Sequence, residues 1–369
     1  MYKTIKTGIT ITLLLCISSC TNTKTKPMFN FLKTYPKYDI NAEACAPKDF
    51  PCEIVKGAFY LADDTFLGIP DGEVLGDTGW GGFGAVHVVG PDLKALPKAV
   101  AVTWVSYVER KFYYGKFDLD YELIANYFKE GYIDFNGKKN TFSTVKVGIA
   151  PGGYLAVWID GLGRQLEVGR FKAKEIEVTK EEFIPSAAMS VSEWLTEFRE
   201  RKLPPEYQNE TYYNNIPFNK WKTYRKKYLW KPVLQFEDEK KGGLSFITIN
   251  YFNGENATRE GNDSAILAYK KRALPISLYI AWEDSIGNLF GADIILGARH
   301  PYESSEEFKP IEKEIFDAYT KLFNDKKAEQ AALVFKIDKY NSHIRIFLKS
   351  ETDSIALKKM KINVFKRTP

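Results

Sequence analysis

The sequence predicts an α+β protein of two related lobes, each a mostly antiparallel β-sheet with a packed helix. Three observations carry this prediction. Period-2 alternation of apolar and polar residues recurs along the chain, as half-buried strands require. A block also recurs: Leu96-Pro97 leads through alternating residues to Trp104 and Phe112, and Leu274-Pro275 leads likewise to Trp282 and Phe290. Pro-to-Trp spacing is seven and Trp-to-Phe spacing is eight in both copies. An amphipathic helical pattern then follows each block, Asp118–Glu130 in the first and Glu307–Asn324 in the second. Val157–Asp160 and Val334–Asp338 look alike as closing strands, so the pattern reads as an internal duplication.

The elements begin with an address. Lys3 and Lys6 precede an apolar stretch, Gly8–Ile17, and Ser18-Ser19-Cys20 follows it. That stretch is too short to span a bilayer, which takes about 20 apolar residues. Its order (basic, apolar, small-small-Cys) resembles a bacterial lipoprotein signal, implying that residues 1–19 are removed and Cys20 carries lipid, palmitate included. Residues 20–36 are polar and read as a tether. The residues after Cys20, Thr21-Asn-Thr-Lys-Thr-Lys, hold no acid, so the expected location is the outer membrane, facing the periplasm. Cys45 and Cys52 remain, spaced C-x6-C around Pro47 and Pro51, and outside the cytoplasm such a pair is expected to form a disulfide.

Strands are expected at Glu53–Leu61, Ala85–Val89, Ala99–Tyr107, Thr144–Ile149, Tyr154–Asp160 and Leu166–Lys172, with Gly131 closing the first helix. The first lobe spans 37–180, a connector with a short helix near Val191–Arg201 occupies 181–211, and the second lobe spans 212–369. Loss of residues 1–19 leaves 350 residues and takes the formal charge from +5 to about +3, too mild to imply a nucleic-acid partner. The 22 Tyr, 25 Phe and 7 Trp suit sheet interiors and ligand-facing surfaces alike.

Only three histidines are present, His87, His300 and His343, and none has a second at ligand spacing, so no metal and no cofactor are expected. Ser106 and Glu109 form the nearest approach to an acid and nucleophile pair, with His87 as the available base; no G-x-S-x-G elbow accompanies them. A β-turn between two strands explains the same residues. Gly79-Trp80-Gly81-Gly82-Phe83-Gly84 precedes a strand rather than opening a helix, so it reads as a glycine-rich turn and not a phosphate loop. Trp80 and Tyr113 join Ser106 and Glu109 as candidate binding residues.

The densest chemistry is Lys220-Trp-Lys-Thr-Tyr-Arg-Lys-Lys-Tyr-Leu-Trp-Lys231, six bases and four aromatics with no acid. Trp221, Tyr224, Arg225, Lys226, Lys227 and Trp230 are therefore candidates for contact with anionic lipid, anionic glycan or an acidic protein partner. The alternative is that the aromatics pack a core while the cations reach out to solvent.

Three blocks together resemble an uncharacterised family of bacterial lipoproteins, domain of unknown function 2931. They are Leu96-Pro97…Trp104-x-Ser106-x-x-Glu109-x-x-Phe112-Tyr113, then Gly148-Ile-Ala-Pro151-Gly152-Gly153…Trp158, then Ile216-Pro217-Phe218…Trp221-x-x-Tyr224-Arg225…Tyr228-x-Trp230-x-Pro232. The resemblance extends over most of the mature chain, and the Cys45–Cys52 pair departs from it. No activity comes with it, although some lipoprotein families of this type resemble immunity proteins. The expected function is a lipid-anchored periplasmic binding protein without catalytic activity, an immunity-type or envelope partner-binding lipoprotein. Two alternatives stand beside it: an envelope hydrolase using Ser106, Glu109 and His87, and a structural envelope protein binding anionic glycan or lipid.

Overall fold

The computed structural model describes residues 34–203, 216–237, 242–260, 264–298 and 305–368, with Gln208 and Asn214 as isolated positions. The expected signal peptide, Cys20 and His300 lie outside the described residues. The elements below all belong to the unit Tyr35–Pro369.

The first half contains β1 (Asn41–Cys45), β2 (Cys52–Leu61), β3 (Phe66–Gly68), β4 (Ala85–His87), β5 (Pro97–Ser106), β6 (Lys111–Asp118), helix α1 (Tyr121–Glu130), β7 (Thr144–Ala150), β8 (Tyr154–Gly161), β9 (Arg164–Lys172) and β10 (Lys174–Ile176). Among the described residues, three helices lie between the halves: α2 (Lys180–Phe183), α3 (Val191–Lys202) and α4 (Lys220–Tyr224). The second half contains β11 (Tyr228–Phe236), β12 (Gly243–Tyr251), β13 (Asn256–Glu260), α5 (Ser264–Leu267), β14 (Lys270–Arg272), β15 (Pro275–Glu283), β16 (Leu289–Ile295), α6 (Ser305–Thr320), β17 (Ala331–Ile337), β18 (Ile344–Lys349), β19 (Ser354–Leu357) and β20 (Lys361–Lys366). Short strands at 37–39, 74–75, 93–95, 132–133 and 139–140 decorate the first half.

Each half is a pair of facing sheets. The first has the orders β10-β6-β5-β2-β3 and β4-β1-β7-β8-β9; the second has β20-β16-β15-β12-β13 and β14-β11-β17-β18-β19. Strand for strand the orders match. The pairings are antiparallel except β1 with β7 and β11 with β17, which are parallel in both halves. This is a mostly β, α+β architecture.

Both cores lie between the facing sheets. Ile54, Val102 and Trp104 pack with Val145, Val147 and Val157, and α1 contributes Ile124 and Phe128. In the second half Ile247, Ile280 and Trp282 pack with Trp230, Leu333 and Ile346, and α6 contributes Ile311, Ile315 and Tyr319. Trp104 and Trp282, seven residues into β5 and β15, hold the equivalent place that the repeated block assigns them. Their rings meet Tyr113 at 5.5 Å and Phe290 at 5.8 Å. Helix ends follow local chemistry: the Asp120 side chain accepts the Leu123 amide, Gly131 ends α1 at φ 62°, and Ser190 with Glu193 forms a capping box on α3.

Three features differ from the sequence expectations. Each half has two sheets rather than one, and β9 pairs with β13, so a ten-stranded sheet runs through both halves. The likeness of Val157–Asp160 to Val334–Asp338 is displaced by one strand: the first lies on β8, the second on β17, whose counterpart is β7. Central strands such as β7 and β8 are buried on both faces and have similar apolar content, so a likeness over a few residues does not tell one from its neighbour. Finally, Cys45 and Cys52 are not joined. Both thiols are free and buried. Cys45 packs with Trp158, Ala156 and Trp80, whereas Cys52 belongs to the first half's inter-sheet core.

Candidate functional site

Helix α4 comes shortly before β11 in the chain, and its two aromatic residues turn inward. Trp221 meets Phe50 edge-on at 5.3 Å and Tyr154 at 6.1 Å. Tyr224 packs on Phe252 at 4.8 Å and Phe316 at 5.7 Å. The Tyr224 hydroxyl donates to Glu312 Oε1 at 2.6 Å, and Lys220 Nζ lies 3.3 Å from Glu312 Oε2, so α4 is fastened to α6. Burial, then the Glu312 charge, pushes the Tyr224 phenol well up from its ordinary value.

Between α4, α6 and the loop at Lys48–Phe50 lies a groove of about 710 Å³. Phe50, Tyr224 and Phe316 give it apolar surface, and Lys309, Lys313 and Asp317 give it exposed charge. Ser305 Oγ donates to Asp49 across one end. A narrower cleft beside it reaches Trp80, Trp221 and Gly254. The fold thus brings Trp80, Trp221 and Tyr224 together, and adds Phe50 and Phe316, which no local motif marks.

The rest of the basic, aromatic run does not form one surface. Trp230 is buried in the second core and donates from Nε1 to the Ala273 carbonyl at 3.2 Å. Arg225 is buried, its Nε lying 3.2 Å from Glu167 Oε2. Lys227 Nζ lies 2.8 Å from Glu255 Oε1, and Lys226 Nζ reaches Asn324 Oδ1 at 3.5 Å while sitting 4.9 Å from the Tyr228 ring. Trp221, Tyr224, Arg225 and Trp230, expected as contact candidates, are buried, in line with the alternative that the aromatics pack a core. The aromatics at 221, 224, 228 and 230 are each buried in a core, and the intervening cations are spread over different neighbours.

Ser106, Glu109 and Tyr113 do converge, beneath the surface. The turn between β5 and β6 buries Glu109, whose Oε1 accepts the Tyr113 hydroxyl at 2.8 Å and whose Oε2 accepts the Gly152 amide at 2.8 Å. Gly152 (φ 72°) and Gly153 (φ 74°) take left-handed conformations, and a Cβ on Gly153 would press on the Ala173 carbonyl and the Tyr113 ring. Ser106 is fully buried opposite Cys52 across β2 and β5. Burial pushes the Cys52 thiol well up, the Glu109 charge adds to this, and Ser106 opposes it. His87 lies on β4 in the other sheet, at the edge next to β1. The arrangement can hold a turn in place. It leaves the Glu109 oxygens with partners already.

Trp80 sits over Trp158 with ring centroids 5.1 Å apart, in a glycine-rich turn that is packed directly on backbone. A Cβ on Gly84 would collide with the Ala44 carbonyl, and one on Gly81 with Gly254. Under this turn is a buried polar network. Lys146 Nζ donates to Gln165 Oε1 at 2.7 Å and lies 3.3 Å from both Glu43 Oε2 and Asp160 Oδ2. Gln165 Nε2 donates to the Gly81 carbonyl at 2.8 Å and also to that of Gly254, tying the turn to the second half. Burial raises the Glu43 carboxyl, with Lys146 pulling the other way.

A family model described as a protein of unknown function, DUF2931, matches residues 20–219, just over half of the chain. The chain belongs to the DUF2931 family. Of the third block, Ile216-Pro217-Phe218 falls within the DUF2931 match and Trp221 to Pro232 lie beyond it, so the resemblance reaches less far than the sequence blocks imply. Within the DUF2931 region the blocks meet in space: Glu109 holds Gly152, and a Cβ on Gly152 would press on the Phe218 ring. No curated protein and no solved structure matches the chain. No helix among the described residues is long and apolar enough to cross a membrane.

Proposed function

We propose that this DUF2931 protein is a lipid-anchored binding protein without catalytic activity, whose two halves descend from an internal duplication. Cys20 holds it at the outer membrane facing the periplasm, and it engages a protein partner in the manner of an immunity-type or envelope partner-binding lipoprotein. The observation that carries this reading is the groove between α4 and α6. Its apolar surface is bordered by charges of both signs, Lys309 and Lys313 beside Glu306 and Asp317, as protein-binding grooves are. The strand-for-strand match between the halves supports the duplication. The hydrolase alternative has less support, because Ser106 and Glu109 are buried with Glu109 bonded at both oxygens, and His87 is on another sheet.

The test is site-specific photo-crosslinking in living cells with the full-length protein, the reactive residue placed at Lys313. A discrete protein adduct is expected, lost when Lys309→Glu is added. An adduct spectrum unchanged from that of the same probe at exposed Lys116 on β6, or no adduct, would overturn the reading.

A further inference from the structure

The β9–β13 junction holds a second cavity, which shares no lining residue with the α4–α6 groove. Its volume is about 210 Å³, and it is lined by Arg164, Arg259, Arg272, Lys227, Lys270 and Lys271, with Glu167 and Glu255 as its acids. Both acids have cations of their own. Glu167 Oε1 lies 2.9 Å from Arg170 Nε and its Oε2 3.2 Å from Arg225 Nε, while Glu255 Oε1 lies 2.8 Å from Lys227 Nζ.

Arg164, Lys271 and Arg272 line the cavity beside these pairs. Arg272 is only 7 % exposed. Its Nη2 donates to the carbonyls of Ala268 at 3.0 Å and Ala265 at 3.3 Å, and its guanidinium carbon sits 5.5 Å from the Trp230 ring. Its Nη1 is buried and has no hydrogen-bond partner among the described residues. Burial together with the Arg259 charge holds the Arg164 guanidinium below the ordinary arginine value. These residues come from both halves, since Arg164 pairs with Ala257 across the junction.

We propose that this cavity is a binding site for a small oxyanion of the phosphate class, carried on a phosphate ester, with Arg164 and Arg272 as its principal ligands. Guanidinium forks match tetrahedral oxyanions, and Arg164, half-buried on the cavity wall, offers one to such a ligand. The volume accommodates a phosphate group with a few further atoms. Occupancy would bridge β9 and β14 and so fasten the two halves. The site is independent of the groove reading.

The experiment uses the full-length protein in detergent, titrated with sodium phosphate against sodium chloride at matched ionic strength, and reads thermal unfolding and calorimetric binding. Saturable binding with a rise in Tm specific to phosphate is expected, and Arg164→Gln and Arg272→Gln are each expected to weaken it at least tenfold. Circular dichroism checks folding; if Arg272→Gln does not fold, Arg164→Gln decides, since Arg164 is only half-buried. Equal Tm shifts in phosphate and chloride, or unchanged phosphate affinity in Arg164→Gln, would overturn the proposal. Two further arms separate the sources: glycerol phosphate in solution, and flotation with phosphatidylglycerol vesicles against phosphatidylcholine vesicles. Vesicle binding that glycerol phosphate displaces assigns a lipid headgroup; glycerol phosphate binding without vesicle binding assigns a soluble ester.

Discussion

Glu109 and Gly152, forty-three residues apart in sequence, are joined by one hydrogen bond of 2.8 Å between the carboxylate and the glycine amide. That bond links two of the three sequence blocks that mark the family, and it lies under the protein surface. Removing the carboxylate leaves a buried amide and the Tyr113 hydroxyl without their acceptor. Glu109→Ala is expected to destabilise by about 2–4 kcal/mol, and Glu109→Gln by about 1 kcal/mol, since the amide oxygen can still accept from Gly152. Chemical denaturation checks this. A Glu109→Gln variant of wild-type stability that has lost a measurable hydrolytic activity would instead favour the enzyme alternative.

Lys146 offers a sharper case, because its charge sits among two carboxylates at 3.3 Å and is almost completely buried. Lys146→Met strips the cation from Glu43 and Asp160 and is expected to cost about 3–5 kcal/mol. Adding Glu43→Gln to that variant removes one of the stranded charges and should recover at least about 1 kcal/mol, a coupling that a double-mutant cycle reads directly.

Glu53 predicts a pH dependence. Its carboxyl accepts the Tyr107 hydroxyl, and burial raises it above the ordinary value of 4.5, with the Tyr107 bond opposing the rise and the Asp71 charge adding to it. A folded-state value above the unfolded one means the folded protein holds that proton more tightly. The stabilisation is complete below 4.5 and is lost as pH rises through the folded value. Glu53→Gln keeps an acceptor for Tyr107 and removes the titration. The variant should therefore gain stability relative to wild type between about pH 4.5 and pH 7, and show none of that gain at lower pH, in denaturation midpoints measured across the range.

The thiols of Cys45 and Cys52 should resist alkylation in the native protein. Both are buried, and burial pushes the Cys45 thiol up to about 12. Iodoacetamide followed by peptide mapping is expected to label neither in the folded protein and both after denaturation without reductant. A Cys45–Cys52 crosslinked peptide would contradict the free-thiol arrangement.

Local chemistry made much of the fold legible. The Leu96-Pro97…Trp104 and Leu274-Pro275…Trp282 blocks lie on β5 and β15, which hold the same place in the two halves, and Asp120 and Gly131 bound α1 as cap signals do. What could not be read was pairing. Nothing in Arg164-Gln165 announces that β9 will meet Asn256-Ala257, because strand partners are chosen by surfaces distant in sequence. The groove was legible in part through Trp221 and Tyr224, whereas Phe50 and Phe316 are single aromatics that no motif surrounds. The cavity cations were harder still. Only Lys270-Lys271-Arg272 forms a run; Arg164 and Arg259 are ordinary strand residues until two sheets are joined.

The sequence by itself determined six strands of the first half, the principal helices, the recurring block and the family, because alternation, caps and spacing act within a few residues. The tertiary structure alone decided what each polar side chain does. Glu109 became a buried acceptor, Arg225 the partner of Glu167, and Arg272 a buried guanidinium with an unmet donor. A side chain's role depends on the groups that burial places around it, and those groups come from segments tens to hundreds of residues away.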